Sequence, residues 1–231
     1  MKKLFLTCVT CIVFLCGMSK PTNVVLFLQP IIQELKTNTD VPIWLPTYFP
    51  NFSHAYYKYP TAKTQITKDE YNIYLLVFQE PFPPNDPRID SHSLSNELGT
   101  LSGSKELFQP FSKPNDYIPF KKIKNVSTWI EPKYEMSLYG KYKNWTFIVD
   151  GVGEKNAAKE LTRILINEMS KFDWLQKNDI VEGNIYVSGT PGSMRRITIN
   201  WKSSTGFSYN VDYQGSLEET LKIVSSMKKI N

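Results

Sequence analysis

Residues 134–171, YEMSLYGKYKNWTFIVDGVGEKNAAKELTRILINEMSK, contain the pattern that decides the fold. Apolar and polar residues alternate on both sides of Lys143-Asn144, which predicts two antiparallel strands joined by a tight turn. Gly151 and Gly153 then break the second strand, and apolar residues at helical spacing follow. This stretch therefore predicts a β-hairpin followed by an amphipathic helix.

A second stretch, residues 195–228, repeats the order of hairpin, glycine and helix. Gly215 ends its returning strand, and Ser216 with Glu219 three residues later predicts a capping box at the start of a helix. The similarity is consistent with an internal duplication, although a hairpin followed by a helix is a common arrangement. We expect an α+β fold, in which helices pack on one face of an antiparallel, meandering sheet. Two related hairpin-plus-helix units are one interpretation of it.

The start of the chain is typical of a secretory signal peptide. Lys2 and Lys3 precede the apolar run 4–17, and the small residues Gly17 and Ser19 fit a cleavage site. The run is shorter than the roughly 20 apolar residues that a membrane helix needs. We expect residues 1–19 to be the signal peptide and residues 20–231 to form a single exported domain. The candidate sub-units of that domain are 20–133, 134–171 and 180–231.

All three cysteines lie in this N-terminal segment, at Cys8, Cys11 and Cys16. The exported chain would therefore contain no disulfide, cysteine nucleophile or thiolate metal site. An exported protein without cysteines fits a bacterial source. An uncleaved anchor is a less favoured alternative. A lipid on Cys16 is also less favoured, because the bulky Leu15 stands where bacterial lipidation needs a small residue.

The charge of the chain does not indicate nucleic acid as a partner. The formal net charge of +5 would fall to +3 on cleavage, because the signal segment carries two lysines and no acidic residue. Such a small excess does not predict a nucleic-acid interface. The cluster of Lys121, Lys122 and Lys124 is interpreted as a solvated face. Membrane contact is expected only through the signal segment.

Two patterns could suggest a cofactor or a metal, and neither is well supported. Gly151-Val152-Gly153 lies between a strand and a helix, but the third glycine of a dinucleotide-binding turn is missing and the strand belongs to a hairpin. The chain has two histidines, His54 and His92, which do not predict a zinc site without cysteines. We expect no cofactor, no metal and no catalytic residue.

An extracytoplasmic hydrolase remains an alternative function. It would use His92 or a pair of carboxylates, since the carboxylate separation that glycoside hydrolysis requires is a three-dimensional property. The acidic residues near predicted strand ends are Glu131, Glu135, Asp150 and Asp212. A structural or regulatory component of the cell envelope is a further alternative.

Residues 40–50, DVPIWLPTYFP, come after a predicted short helix at 30–36. Three prolines favour an extended or edge segment, which would lie across the fold and bury its apolar residues. This order resembles a group of small exported bacterial proteins of unknown function. In that group an N-terminal helix precedes a VPxxLPxxxP-type segment, and the chain ends in a strand pair and a helix. The resemblance covers the opening third and the C-terminal module, and it implies no activity.

Aromatic residues near predicted turns are the candidate ligand-contacting groups. Exposed rings stack on sugars or anchor protein partners, although aromatic residues in strands more often pack in the core. The candidates are Tyr56, Tyr57, Tyr59, Tyr142 and Trp145. We therefore predict a non-catalytic protein that binds an unknown ligand or partner at the cell envelope or outside the cell.

Overall fold

The computed structural model describes residues 24–50, 57–91, 96–154, 156–172, 179–193 and 195–230. The expected signal peptide, both histidines and all cysteines lie outside these ranges. The described helices are α1 (Ile32–Asn38), α2 (Ala157–Met169) and α3 (Leu217–Ser225), with 3₁₀ turns at Leu26–Ile31 and Pro87–Ser91. The described strands are β1 (Ile43–Pro46), β2 (Tyr59–Ile66), β3 (Glu70–Phe78), β4 (Asn96–Ser104), β5 (Ile118–Pro119), β6 (Thr128–Ile130), β7 (Ser137–Tyr142), β8 (Trp145–Gly151), β9 (Ile180–Gly189), β10 (Arg195–Ser203), β11 (Ser208–Gly215) and β12 (Met227–Ile230).

Ten of these strands form one open sheet in the order β2-β3-β4-β11-β10-β9-β8-β7-β6-β5, and β1 pairs with β12 in a second, two-stranded sheet. All neighbouring strands are antiparallel except β8 and β9. The predicted α+β class with a mainly antiparallel sheet is confirmed. Strands from 20–133, 134–171 and 180–231 all contribute to the large sheet, because β4 pairs with β11 and β6 pairs with β7.

The two predicted hairpin-plus-helix stretches form as expected from their local sequence. Lys143 adopts φ of 57° in the turn between β7 and β8. Ser216 Oγ accepts a hydrogen bond from Glu219 N at 3.1 Å, and the Glu219 carboxylate accepts one from Ser216 N at 3.3 Å. The capping box is therefore present. A β-carbon at Gly151 would lie 2.4 Å from Ala158 N, so this glycine allows α2 to begin close against the end of β8.

The two stretches differ in the strand that comes after the helix. From β8, α2 leads to β9, which pairs parallel to β8 in the same sheet. A parallel neighbour requires a crossover connection, and the helix supplies it. From β11, α3 leads instead to β12, which pairs with β1 outside the large sheet. Strand β9 was not assigned from the sequence, and the internal duplication stays a prediction.

One face of the large sheet is covered by the main hydrophobic core. Alternate residues of β8, β10 and β11 enter a cluster that also contains the buried sides of all three α-helices and of β1. Trp145 and Trp201 are among its largest fully buried side chains. Gly183 makes room for the first of them, because a β-carbon there would lie 2.2 Å from the Trp145 ring.

The segment at 40–50 lies across this core, as predicted. Trp44 and Leu45 of β1 are buried. Trp44 N donates a hydrogen bond of 3.1 Å to the hydroxyl of Tyr71 in β3, and the hydroxyl of Tyr209 in β11 donates one of 3.0 Å to Pro42 O. The backbone of the segment forms hydrogen bonds with the short strand β12 on one side. Such a two-stranded edge position tolerates proline, which has no backbone N–H to donate.

One face of strand β3 packs in the main core, and the opposite face is partly exposed except at Phe78, which is buried with Phe82 and Ile89 in a separate small cluster. Tyr71 and Ile73 are buried, whereas Asn72 and Tyr74, on the opposite face, are partly exposed. The strand has neighbours on both sides but is second from the edge of the sheet. This second face continues across the sheet and is where the candidate site lies.

Candidate functional site

The aromatic residues proposed from the sequence do not form one surface. Tyr56 lies outside the described residues. Tyr57 is half-buried and Tyr59 is 42% exposed at the β2 edge, whereas Tyr142 is half-buried on β7. Seven interstrand spacings separate β2 from β7, which places the two groups about 30 Å apart.

Trp145 is a correction to the predicted set. Its side chain is fully buried, so it cannot contact a ligand at the surface. The residue shares the core face of β8 with Phe147 and Val149, and its ring fills the space that Gly183 leaves open. Trp201 is also buried. It alternates in step with the buried Ile197 and Ile199 and therefore lies on the core face of β10.

The carboxylates of the hydrolase alternative are held in separate interactions. Asp150 on β8 accepts a hydrogen bond of 2.7 Å from the Tyr186 hydroxyl, and Asp212 on β11 binds the Arg196 guanidinium at 2.8 Å. Three interstrand spacings, about 14 Å, separate the two strands, and the two residues are offset by a further two positions along them. Glycosidases require about 5–10 Å between their two carboxyl groups. Burial raises the pKa of Tyr186, and its hydrogen bond to Asp150 acts in the same direction.

The other two acidic candidates stabilise local structure. The Glu131 carboxylate accepts hydrogen bonds from the backbone N–H groups of Lys133, Tyr134 and Glu135. Glu135 forms an ion pair of 2.6 Å with Lys159 of α2. His92 lies outside the described residues. These contacts give each carboxylate a structural role.

The face of the large sheet opposite the core carries a row of polar side chains in register, which we call the amide row. It crosses six neighbouring strands from β3 to β8. Its members, in spatial order, are Asn72, Ser102, Asn210, Asn200, Asn184 and Thr146. Since side chains alternate along a strand, each member points away from the core that its neighbours line.

A loop after β4, residues 106–111, lies over this row and is called the crossing segment. The buried side chain of Asn184 holds it: Nδ2 donates to Gln109 O at 2.8 Å, and Oδ1 accepts from Phe111 N at 2.9 Å. The Thr146 hydroxyl donates to the same Oδ1 at 2.6 Å, which orients the amide. Ser208 Oγ also donates to Glu106 O at 2.7 Å. The sheet therefore fixes both ends of the crossing segment.

A pocket of about 220 Å³ lies between the crossing segment and the amide row, and we call it the face pocket. Residues of the crossing segment form one wall. The sheet wall consists of hydroxyl and amide side chains from four neighbouring strands. They include Ser102, Ser104, Asn200, Ser208 and Asn210.

The face pocket combines polar side chains on the sheet wall with apolar groups on the opposite wall. Glu106 is the charged residue in its lining, and it is exposed. Phe108 and Phe111 are half-buried in the opposite wall. Asn210 Oδ1 is buried and has no hydrogen-bond partner among the described residues. A buried acceptor without a donor costs free energy, but this atom is closed off from solvent and therefore also from a ligand in the pocket.

A second pocket, of about 280 Å³, lies at the start of α2 and is basic. Lys121, Lys159 and Arg163 line it together with the acidic Glu160, and Lys159 is already paired with Glu135. Lys121, Lys122 and Lys124 are all exposed, in agreement with the solvated face expected from the sequence. This pocket thus offers cations without a buried polar group to orient a ligand.

Within the ranges that the structure describes, no three His, Cys, Asp or Glu side chains are grouped so that they could hold a metal ion. No helix in the same ranges is both long and apolar enough to cross a membrane.

The chain matches no protein-family model, no curated protein and no solved structure. Its function is therefore inferred from the geometry of the face pocket.

Sequence reasoning missed the face pocket. Asn200 and Asn210 occupy the polar positions of alternating strands, which look like ordinary solvent-facing residues in the sequence. The register between strands β4, β11, β10 and β9 aligns them, and this register joins residues far apart in the chain. The one local signal is the repeated occurrence of Asn and Ser at these polar positions.

Proposed function

We propose that this chain is an exported bacterial protein of the cell envelope or extracellular space that binds a ligand in the face pocket and does not catalyse a reaction. The observation that carries this proposal is the concave site lined by hydroxyl and amide side chains, with its two walls held together by the contacts of the crossing segment. Support for export is the N-terminal sequence, with its two lysines, apolar run and small residues.

A binding role also agrees with how the pocket is built. The crossing segment is attached to the sheet through Asn184, whose side chain is 2% exposed, so the wall of the pocket is preorganised. Preorganised sites lose less conformational entropy on association. The carboxylates that could have acted as acid and base lie apart from one another and from this pocket.

Hydrogen–deuterium exchange tests the binding site directly. The purified chain from residue 20 onward is measured alone and with separated glycan, lipid and protein fractions of a bacterial envelope. We expect one fraction to slow exchange at the crossing segment and to leave distant β2 unchanged. Absence of protection at the crossing segment with every fraction, or protection confined to the basic pocket at the start of α2, would contradict the proposal.

A matched pair of variants separates the pocket from the rest of the amide row. Asn210→Leu replaces a lining amide, whereas Asn72→Leu makes the same change two strands away and outside the pocket. Protection should be lost in the first variant and retained in the second.

Export is tested by N-terminal sequencing of the protein recovered outside the cytoplasm. A start near residue 20 is expected, and an intact Met1 would contradict cleavage.

A further inference from the structure

We infer that the face pocket takes one ring of a neutral, hydroxyl-rich saccharide. The inference rests on the proposed function, since it names the class of ligand for the same site. A volume of about 220 Å³ is below the roughly 300–1,000 Å³ typical of sites for drug-sized molecules. The pocket therefore fits a single ring-sized group, with the remainder of a longer ligand outside it.

The lining groups select a partner that both donates and accepts hydrogen bonds. Asn200 and Asn210 are directly paired across β10 and β11, so their side chains start about 5 Å apart. Each amide has a carbonyl oxygen that accepts and an NH₂ group that donates. The neighbouring Ser102 hydroxyl can do either, and the Ser208 hydroxyl, which donates to Glu106 O, can accept. Sugar hydroxyls have the same dual capacity and can pair with the amide and hydroxyl groups that line the pocket.

The opposite wall suits the apolar face of a sugar ring. Phe108 and Phe111 line it, and aromatic side chains contribute apolar contact area to such faces. Leu107 beside them is 86% exposed, which leaves an apolar side chain at the rim for a second sugar unit. A wholly apolar ligand is disfavoured, because it would cover the amides without replacing the hydrogen bonds that they make with water.

Charged ligands and peptides fit less well. No cation is among the described residues that line the face pocket, and the Glu106 carboxylate would repel phosphates or uronic acids. Peptides commonly bind by adding a strand to a sheet edge through main-chain hydrogen bonds. Here the pocket lies on a sheet face, and the main chains of β4, β11, β10 and β9 are already paired with one another. The pocket is therefore suited to a ligand whose hydroxyl groups are recognised by the side chains of the sheet.

The experiment is an NMR titration of the purified chain from residue 20 onward, with the side-chain amide signals of Asn200 and Asn210 assigned. The ligands are neutral trisaccharides of glucose, mannose and N-acetylglucosamine, a galacturonic acid trimer, and trialanine. We expect at least one neutral trisaccharide to shift both amide signals saturably in the millimolar range or below. The acidic trimer and the peptide should leave them unchanged.

Three variants establish that the pocket groups cause the binding. Asn210→Leu should weaken the neutral trisaccharide about tenfold, the loss expected for one hydrogen-bonding group with a buried partner. Asn210→Asp keeps the shape of the side chain and should also weaken binding, because it replaces the NH₂ donors with a charge. Asn72→Leu should bind like the unmodified protein.

The outcomes distinguish the inference from the proposed function. If no neutral trisaccharide shifts the amide signals, while an envelope fraction still protects the crossing segment, the ligand class is wrong and the binding function stands. If neither titration nor envelope fraction affects the pocket, both are wrong. Equal binding of the acidic trimer, or unchanged affinity in both Asn210 variants, also overturns the saccharide assignment.

Discussion

The main-chain N–H of Trp44 donates a hydrogen bond of 3.1 Å to the buried hydroxyl of Tyr71. This bond joins the proline-rich β1 segment to the large sheet, at a point where the other side of β1 pairs with β12. The contact links residues 27 positions apart and lies inside the main core.

Removal of the Tyr71 hydroxyl should destabilise the fold. Tyr71→Phe leaves the buried Trp44 N–H without an acceptor, and we expect a loss of about 1–3 kcal/mol in the free energy of unfolding. Urea denaturation measures it. The control is Tyr74→Phe on the opposite face, whose exposed hydroxyl donates to Gln65 at 2.9 Å. Its loss should stay below about 0.5 kcal/mol, and equal losses would contradict the assigned role of Tyr71.

Alkaline pH should destabilise the protein through three buried tyrosines. Burial raises the pKa of Tyr71, Tyr209 and Tyr213 well above the ordinary value of 10.0. Their contribution to stability is complete below pH 10, because the hydroxyls are protonated in both states. It is lost as the pH rises above 10, since the unfolded tyrosines ionise first.

Urea midpoints measured from about pH 8 to about pH 11 test this alkaline effect. The slope of unfolding free energy against pH should become shallower in Tyr213→Phe, because that variant has one fewer raised group. A midpoint that does not change with pH above 10 would contradict the prediction.

Substitutions at Gly183 and Trp145 should have strongly non-additive effects on the free energy of unfolding. Gly183→Ala places a β-carbon against the Trp145 ring, at a position 2.2 Å from it, and overpacking of this kind costs about 1–3 kcal/mol. Trp145→Phe removes the outer ring atoms that meet the new methyl group. The double variant should therefore lose less stability than the sum of the two single variants. Additive losses in urea denaturation would show that the two residues do not meet.

Asn184 should control the mobility of the crossing segment. Asn184→Leu removes the acceptor for Phe111 N–H and the donor to Gln109 O. We expect faster amide exchange at Phe111 and a loss of about 1–3 kcal/mol in stability. Asn184→Asp retains the acceptor and loses the donor, so its exchange rate should be intermediate. An unchanged rate at Phe111 in the leucine variant would show that the segment is held by other contacts.

The capping box at α3 should contribute a local, measurable increment of stability. Ser216→Ala removes the oxygen that accepts from Glu219 N, and such losses are typically about 1 kcal/mol. Thermal or urea denaturation provides the measurement. Ser204→Ala, an exposed residue in the turn after β10, is the matched control and should have little effect. Equal effects of the two substitutions would argue against the capping role.

Features that depend on near neighbours in the chain were predictable. The alternation around Lys143-Asn144 predicted one hairpin, and Ser216 with Glu219 predicted the start of a helix. The three prolines in 40–50 predicted an extended segment that lies across the fold, and β1 occupies that place. Each of these signals is a turn, cap or backbone restriction that acts over a few residues.

The sequence by itself determined the α+β class, the hairpins, the helices and the polar positions of the strands. Only the tertiary structure decided the parallel pairing of β9 with β8 and the burial of Trp145 against Gly183. It also decided the alignment of Asn200 with Asn210 beneath the crossing segment. Alternation fixes which face of a strand a side chain occupies. The register between strands distant in the chain fixes its neighbours, and that register is set by pairing and packing of the whole sheet.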